Sequence, residues 1–222
     1  MTLRSHGFGA AGLASFLFLL AACGSDSGST GALGQSETSP ECDPGDVSCG
    51  LDGPIAVGAR LPLQISITAP GVAASSIALE STKTNVLAVD GASVKGVKPG
   101  FATLTMLDKN AWVIDFLTVS VEEPDRIALF RRKDAGLEPS PLPSRMQIAV
   151  GDDFEVSLQA FLGATRLLGD LEATWTVDGS SVRMLDGGRP ATRRFRAAAA
   201  GTSTINVQSA NRAATLVLEV QP

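Results

Sequence analysis

The sequence predicts an all-β chain built as two tandem sandwich- or barrel-type domains, and three observations lead there. The first is strict alternation of apolar residues: Leu61, Leu63, Ile65 and Ile67 in one run, Phe154, Val156, Leu158 and Ala160 in another. Leu117, Val119 and Val121 repeat it, as do Leu216, Leu218 and Val220. A period of two is that of strands with one buried face. The second is the absence of any sustained helical period after the first 22 residues, with Gly, Pro, Asn and Asp punctuating the runs. The third is internal repetition. "IAVG" occurs at Ile55–Gly58 and Ile148–Gly151, "VLAVDG" (Val86–Gly91) matches "VRMLDG" (Val182–Gly187), and "PGFATLTM" from Pro99 matches "AGTSTINV" from Ala200. "LTVSV" (Leu117–Val121) pairs with "LVLEV" (Leu216–Val220). A repeat near a hundred residues implies tandem domains rather than solenoid units.

Residues 1–22 read as an export signal. Arg4 supplies the positive start, Leu13 to Leu20 the apolar core, and Ala21 and Ala22 the small residues before cleavage. The core is shorter than the ~20 residues a membrane-spanning helix needs. The closing Leu20-Ala21-Ala22-Cys23 resembles the lipobox of bacterial lipoproteins. That resemblance implies a thioether-linked diacylglycerol on Cys23, cleavage before it and acylation of its amine, with palmitate-type chains. Two or more acyl chains anchor stably where one does not. Gly24 in the position after the cysteine implies delivery to the outer membrane by the sorting rule of enteric bacteria.

Residues 23–50 hold little to bury and are expected to form a lipid-anchored tether, with a coil reach on the order of 30 Å between Gly24 and Gly50. Cys42 and Cys49 sit in "ECDPGDVSC", with Pro44-Gly45 as a turn between them. In an oxidising compartment they are expected to form a small disulfide loop. Free thiols and a metal site are the alternatives, the latter weakened because the sole histidine, His6, lies in the signal.

Residues 51–123 form the first expected domain. "SIALESTKTNVLAVDGASVKGVKPGFATLTM" carries Val86, Val89-Asp90, Val94, Gly96, Val97, Gly100, Ala102, Leu104 and Thr105, after an entry at Val57-Gly58. This pattern resembles the bacterial immunoglobulin-like domains of intimin- and invasin-type surface proteins. It implies a β-sandwich, with Leu79 where the family often has a core tryptophan. Gly96 and Gly100 flank a turn where positive φ or close backbone approach excludes a Cβ. The boundary falls at Glu122-Glu123-Pro124-Asp125. Residues 124–222 form a more divergent second copy, with Trp175 at the tryptophan position, Ala197 matching Gly96, and "RRKDAGLEPSPLPSR" read as an insertion.

The net charge of -5 offers no basic field for nucleic acid, and no nucleic-acid partner is expected. Without histidine in the mature chain neither a Ser-His-Asp nor a Cys-His site can be built. No carboxylate pair sits in a motif setting, so no enzyme and no cofactor is expected.

Three features are candidate binding elements. Arg189, Arg193, Arg194 and Arg196, with Arg131-Arg132-Lys133, would contact an anionic glycan or phosphate if the strands gather them; the alternative is a solvated strand face. Glu122, Glu123 and Asp125, with Asp152 or Asp153, would supply oxygen ligands for Ca²⁺ at the joint; the alternative is an acidic linker, since no calcium-loop spacing is present. Trp112 would stack on a sugar or cap the first core. The expected role is that of an envelope or surface protein held to the membrane through Cys23, whose domains bind or space a protein or glycan in the manner of cell-adhesion modules. A periplasm-facing scaffold subunit is the alternative.

Overall fold

The computed structural model describes residues 29–40, 51–133, 136–185 and 189–222. Cys23, Cys42 and Cys49, with residues 1–22 read as an export signal, lie outside them. Domain 1 contains β1 (Ser29–Thr30), β2 (Ser36–Pro40), β3 (Ile55–Ala56), β4 (Ala59–Ile67) and β5 (Ala78–Ser81). It continues with β6 (Leu87–Asp90), β7 (Ser93–Gly96), β8 (Gly100–Leu107) and β9 (Val113–Glu122). Domain 2 contains β10 (Arg126–Lys133), β11 (Gly136–Leu137), β12 (Arg145–Ala149), β13 (Asp153–Leu162), β14 (Thr165–Leu167) and β15 (Asp170–Leu171). Then follow β16 (Thr174–Asp178), β17 (Val182–Leu185), β18 (Thr192–Ala197), β19 (Gly201–Ser209) and β20 (Arg212–Gln221).

The two domains are immunoglobulin-like sandwiches of one design. In domain 1 the sheet β1-β2-β4-β7-β6 faces β3-β9-β8-β5; in domain 2 β11-β10-β13-β18-β17 faces β12-β20-β19-β16. The alternating residues meet between the sheets: Leu61, Leu104, Val119 and Val121 are buried in the first core, and Val156, Phe195, Ile205 and Leu218 in the second. Burying such side chains contributes roughly 1.5–3 kcal/mol each against an exposed reference. Leu79 on β5 and Trp175 on β16 occupy matching places, opposite Met106 and Val207. Trp175 is buried, tilts against Phe195 and donates from Nε1 to the Pro190 carbonyl at 3.1 Å.

The matching strands correct two expectations. In each copy a strand joins the first sheet antiparallel, then the chain crosses and runs parallel to the last strand. In domain 2 these are β10 on β13 and β12 on β20; in domain 1 they are β2 on β4 and β3 on β9. The stretch after Phe130 is therefore no insertion, because the first copy makes the same change of partner sheet between β2, which ends at Pro40, and β3, which starts at Ile55. Nor are residues 29–40 part of a tether. They form β1 and β2, so the first sandwich starts more than twenty residues before residue 51.

The structure also answers for the two glycines. Gly100 has φ +146°, and a Cβ on Gly96 would overlap the Ala56 carbonyl oxygen and come within 3.0 Å of Val121 Cγ1. The close approach arises where Val57 bridges to Gly96 in parallel.

Candidate functional site

The joint between the sandwiches is made of backbone. The segment after β14 leaves domain 2 and lies along domain 1: Ala56 N–H donates to the Leu168 carbonyl at 3.0 Å, and Leu168 N–H to the Pro54 carbonyl at 2.8 Å. β15 then pairs antiparallel with β4, Asp170 opposite Arg60 and Leu171 opposite Ala59. Leu171 is buried against domain 1, its Cδ2 in ordinary contact range of a Cβ at Gly58. Gly169, at φ +95°, permits the turn; a Cβ there would lie 2.9 Å from that of Ala59. A strand borrowed across the joint restrains both distance and twist, unlike a single-chain linker, which leaves domains free to move.

The acidic residues near the joint each hold to one domain or stand exposed. The Glu122 carbonyl accepts from Val57 N–H at 2.9 Å within domain 1. Asp125 accepts from Gly163 N–H at 2.7 Å on its carboxylate and from Arg212 Nε at 2.9 Å on its carbonyl, which ties it to domain 2. Glu123 is exposed. Asp152 caps a turn by accepting from Ala149 N–H, and Asp153 is taken up by Arg196. Among the described residues no three carboxylate, histidine or cysteine side chains gather as a metal site would require.

The candidate arginines share β18 and its approach, but each has its own engagement. Arg196 makes a two-pronged pair with Asp153, Nε and Nη2 each at 2.7 Å. That pairing is the main reason the Asp153 carboxyl is held below its usual range. Arg193 donates to the carbonyls of Arg189 and Thr192 at 2.6 and 2.7 Å, and Arg189 lies 3.8 Å from Asp170. Arg194 stands opposite Glu155, which also faces Arg132 across β13. The row alternates in sign, so its field is partly cancelled at the surface.

Trp112 does not cap the core. It is 72% exposed at the β8–β9 turn. The turn is built by Asp108, whose Oδ1 accepts from Asn110 N–H at 2.8 Å and Trp112 N–H at 2.9 Å, with Ala111 held at φ +62°. The Trp112 N–H bond is the main cause holding the Asp108 carboxyl low.

Beside it lies a residue no motif announces. Asp115 is fully buried. Its carboxylate accepts from backbone N–H groups: Leu33 at 2.8 Å and Phe116 at 2.9 Å on Oδ1, Gln35 at 2.8 Å and Ser36 at 2.9 Å on Oδ2. The Ser36 hydroxyl adds a fifth bond at 3.1 Å. Burial pushes this carboxyl up, but the N–H donors of Leu33, Phe116 and Gln35 and the Ser36 hydroxyl outweigh it and hold the group below the usual carboxylate range. Gly31 is required next to it, since any Cβ there would overlap the carboxylate. Asp115 thus clips the β1–β2 turn, with Leu33 exposed, to the end of the first sandwich.

Neither the protein-family models nor the curated proteins hold a match to this chain. Among solved structures, domains 4 and 5 of the S-layer protein SbsC share 19% identity over 70% of this chain and 82% of that one, with a TM-score of 0.32. The Escherichia coli adhesin FdeC shares 12% over 84% of this chain and 64% of that one, TM-score 0.30. The Yersinia pseudotuberculosis adhesin InvE shares 12% over 77% and 57%, TM-score 0.33. A β-glycosidase from Bacteroides vulgatus scores alike, TM-score 0.33 at 15% identity. This chain spans about a quarter of the longer SbsC structures, 23% to 27% of their length. At such scores the fold assignment rests on the sheets of this chain itself.

Proposed function

We propose that the protein is a non-catalytic, lipid-anchored envelope module, held by Cys23 in the outer membrane, whose paired sandwiches form a stiff arm that presents domain 2 to a protein or glycan partner in the manner of an adhesin. The observation that carries this reading is the strand-pairing joint from Leu168 to Leu171, which supports a spacing and display role. A display arm gains from stiffness, because a partner then meets pre-oriented loops at lower ordering cost. The anchor is supported by the Leu20-Ala21-Ala22-Cys23 ending of the apolar signal core. The test is fractionation of cells fed labelled palmitate. The native chain is expected in the membrane fraction carrying label, and Cys23→Ala without label and released from membranes. A Cys23→Ala protein that stays membrane-bound would remove the anchor.

A further inference from the structure

The two sandwiches differ at one corresponding end. In domain 2 that end, after β13, carries β14 and β15 and is covered by domain 1. In domain 1 the same end points away from the joint, since β4 meets domain 2 at Ala59 and β9 leads to it through Glu122. Its loops span residues 31–35, 68–77 and 108–112, and Thr68 ties two of them by donating to the Gly34 carbonyl and, from N–H, to that of Gln35. Here Leu33, Trp112 and Val113 are each more than half exposed, with Val72 and Phe116 partly so. The only charged residues in the three loops are Asp108 and Lys109, of opposite sign. Both apolar tips are held in place, Leu33 through Asp115 and Trp112 through Asp108.

What covers this end follows from where the chain leads. Ser29 starts β1 beside it, paired with Thr38, and six residue steps separate Ser29 from Cys23. Six steps span at most about 20 Å. A lipid on Cys23 therefore keeps this end, rather than domain 2, within reach of the headgroups. A near-neutral surface of Trp, Phe, Leu and Val suits the boundary between headgroups and acyl chains, where aromatic rings concentrate. We propose that the free end of domain 1, through Leu33, Trp112, Val113 and Phe116, docks into the interface of the bilayer that holds the Cys23 lipid and so sets the arm's orientation. This rests on the lipid-anchor reading.

The test uses the lipidated chain in phosphatidylethanolamine–phosphatidylglycerol vesicles with and without bromine on the upper acyl carbons. Trp175→Phe leaves Trp112 as the sole tryptophan; Trp112→Phe, keeping only buried Trp175, is the control and serves if the first variant does not fold. Flotation with the vesicles is scored first. The expected result is flotation with Trp112 emission shifted to the blue, quenched by bromolipid and several-fold less open to acrylamide, and with no bromolipid quenching in Trp112→Phe. Leu33→Asp with Val113→Asp should float yet lose the quenching. A floating chain whose Trp112 stays open to acrylamide overturns the docking and leaves the anchor standing. Protection from acrylamide without bromolipid quenching also overturns it, assigning the end to a second copy or another protein. A chain that does not float overturns both readings.

Discussion

Asp115→Asn isolates the clip that holds the first strand pair. The substitution keeps shape and volume but replaces one acceptor oxygen with an NH₂ group. If the amide oxygen stays toward Gln35 and Ser36, the N–H groups of Leu33 and Phe116 face a donor; in the opposite flip Gln35 and Ser36 do. Either way two backbone donors lose their acceptor at a buried site. At about 1–3 kcal/mol for each unsatisfied buried group, the loss comes to about 2–6 kcal/mol. It falls on residues 31–36, which are also held by β1 to β2, β2 to β4, the Ala32 N–H bond to the Phe116 carbonyl and the Thr68 bonds to the Gly34 and Gln35 carbonyls. The expected outcome is local opening of residues 29–40 ahead of global unfolding. Hydrogen exchange read by mass spectrometry should show peptides from this segment losing protection by ten-fold or more, while peptides from β13, β19 and β20 do not change. Unchanged protection in residues 29–40, with the urea midpoint also unmoved, would refute the clip.

The same group sets a pH dependence. Because the Asp115 carboxyl is depressed in the folded state, its contribution is complete above the unfolded carboxylate value, about 3.9, and is lost as pH falls through the folded value. Protection of residues 29–40 should therefore drop below about pH 4 in the native chain, a drop that Asp115→Asn no longer shows. Gly169→Ala places a methyl group at φ +95° against Ala59 and should weaken the joint by about 1–3 kcal/mol, seen as broader interdomain scattering profiles with each sandwich still folded. Gly96→Ala forces a Cβ onto the Ala56 carbonyl and should lower stability by about 1–3 kcal/mol in urea unfolding; Ala197→Gly, at the matching site of domain 2, should cost less than that.

Period-two alternation carried most of the fold because both sandwiches bury one face of nearly every long strand. β2 was not legible for the same reason in reverse. Its sequence is Ser-Glu-Thr-Ser-Pro, and the side chains it turns inward are Ser36, Thr38 and Pro40. Hydrogen bonding replaces apolar burial there, and the acceptor, Asp115, lies 79 residues away from Ser36. A serine-rich stretch after an apolar run that ends in cysteine reads as tether on composition alone. The second domain held a clue nonetheless: β10 precedes its crossing, and a matching strand before residue 41 follows from the repeat. The joint was hidden differently. Leu168 and Leu171 sit in a short segment that reads as a loop of domain 2, and only the three-dimensional arrangement supplies Pro54, Ala56 and Ala59. The arginines showed their positions in the sequence but not their counter-charges, since Asp153 meets Arg196 through sheet pairing across 43 residues.

The proposed display role is tested most directly by labelling intact cells with antibodies raised against the folded C-terminal domain, residues 124–222, alongside a periplasmic control antigen. The account predicts labelling of intact cells while the control stays dark, because the stiff arm carries domain 2 outward from the lipid. Labelling that appears only once the outer membrane is breached, together with the control, would contradict an outward-facing adhesion module and place the arm in the periplasm as a scaffold.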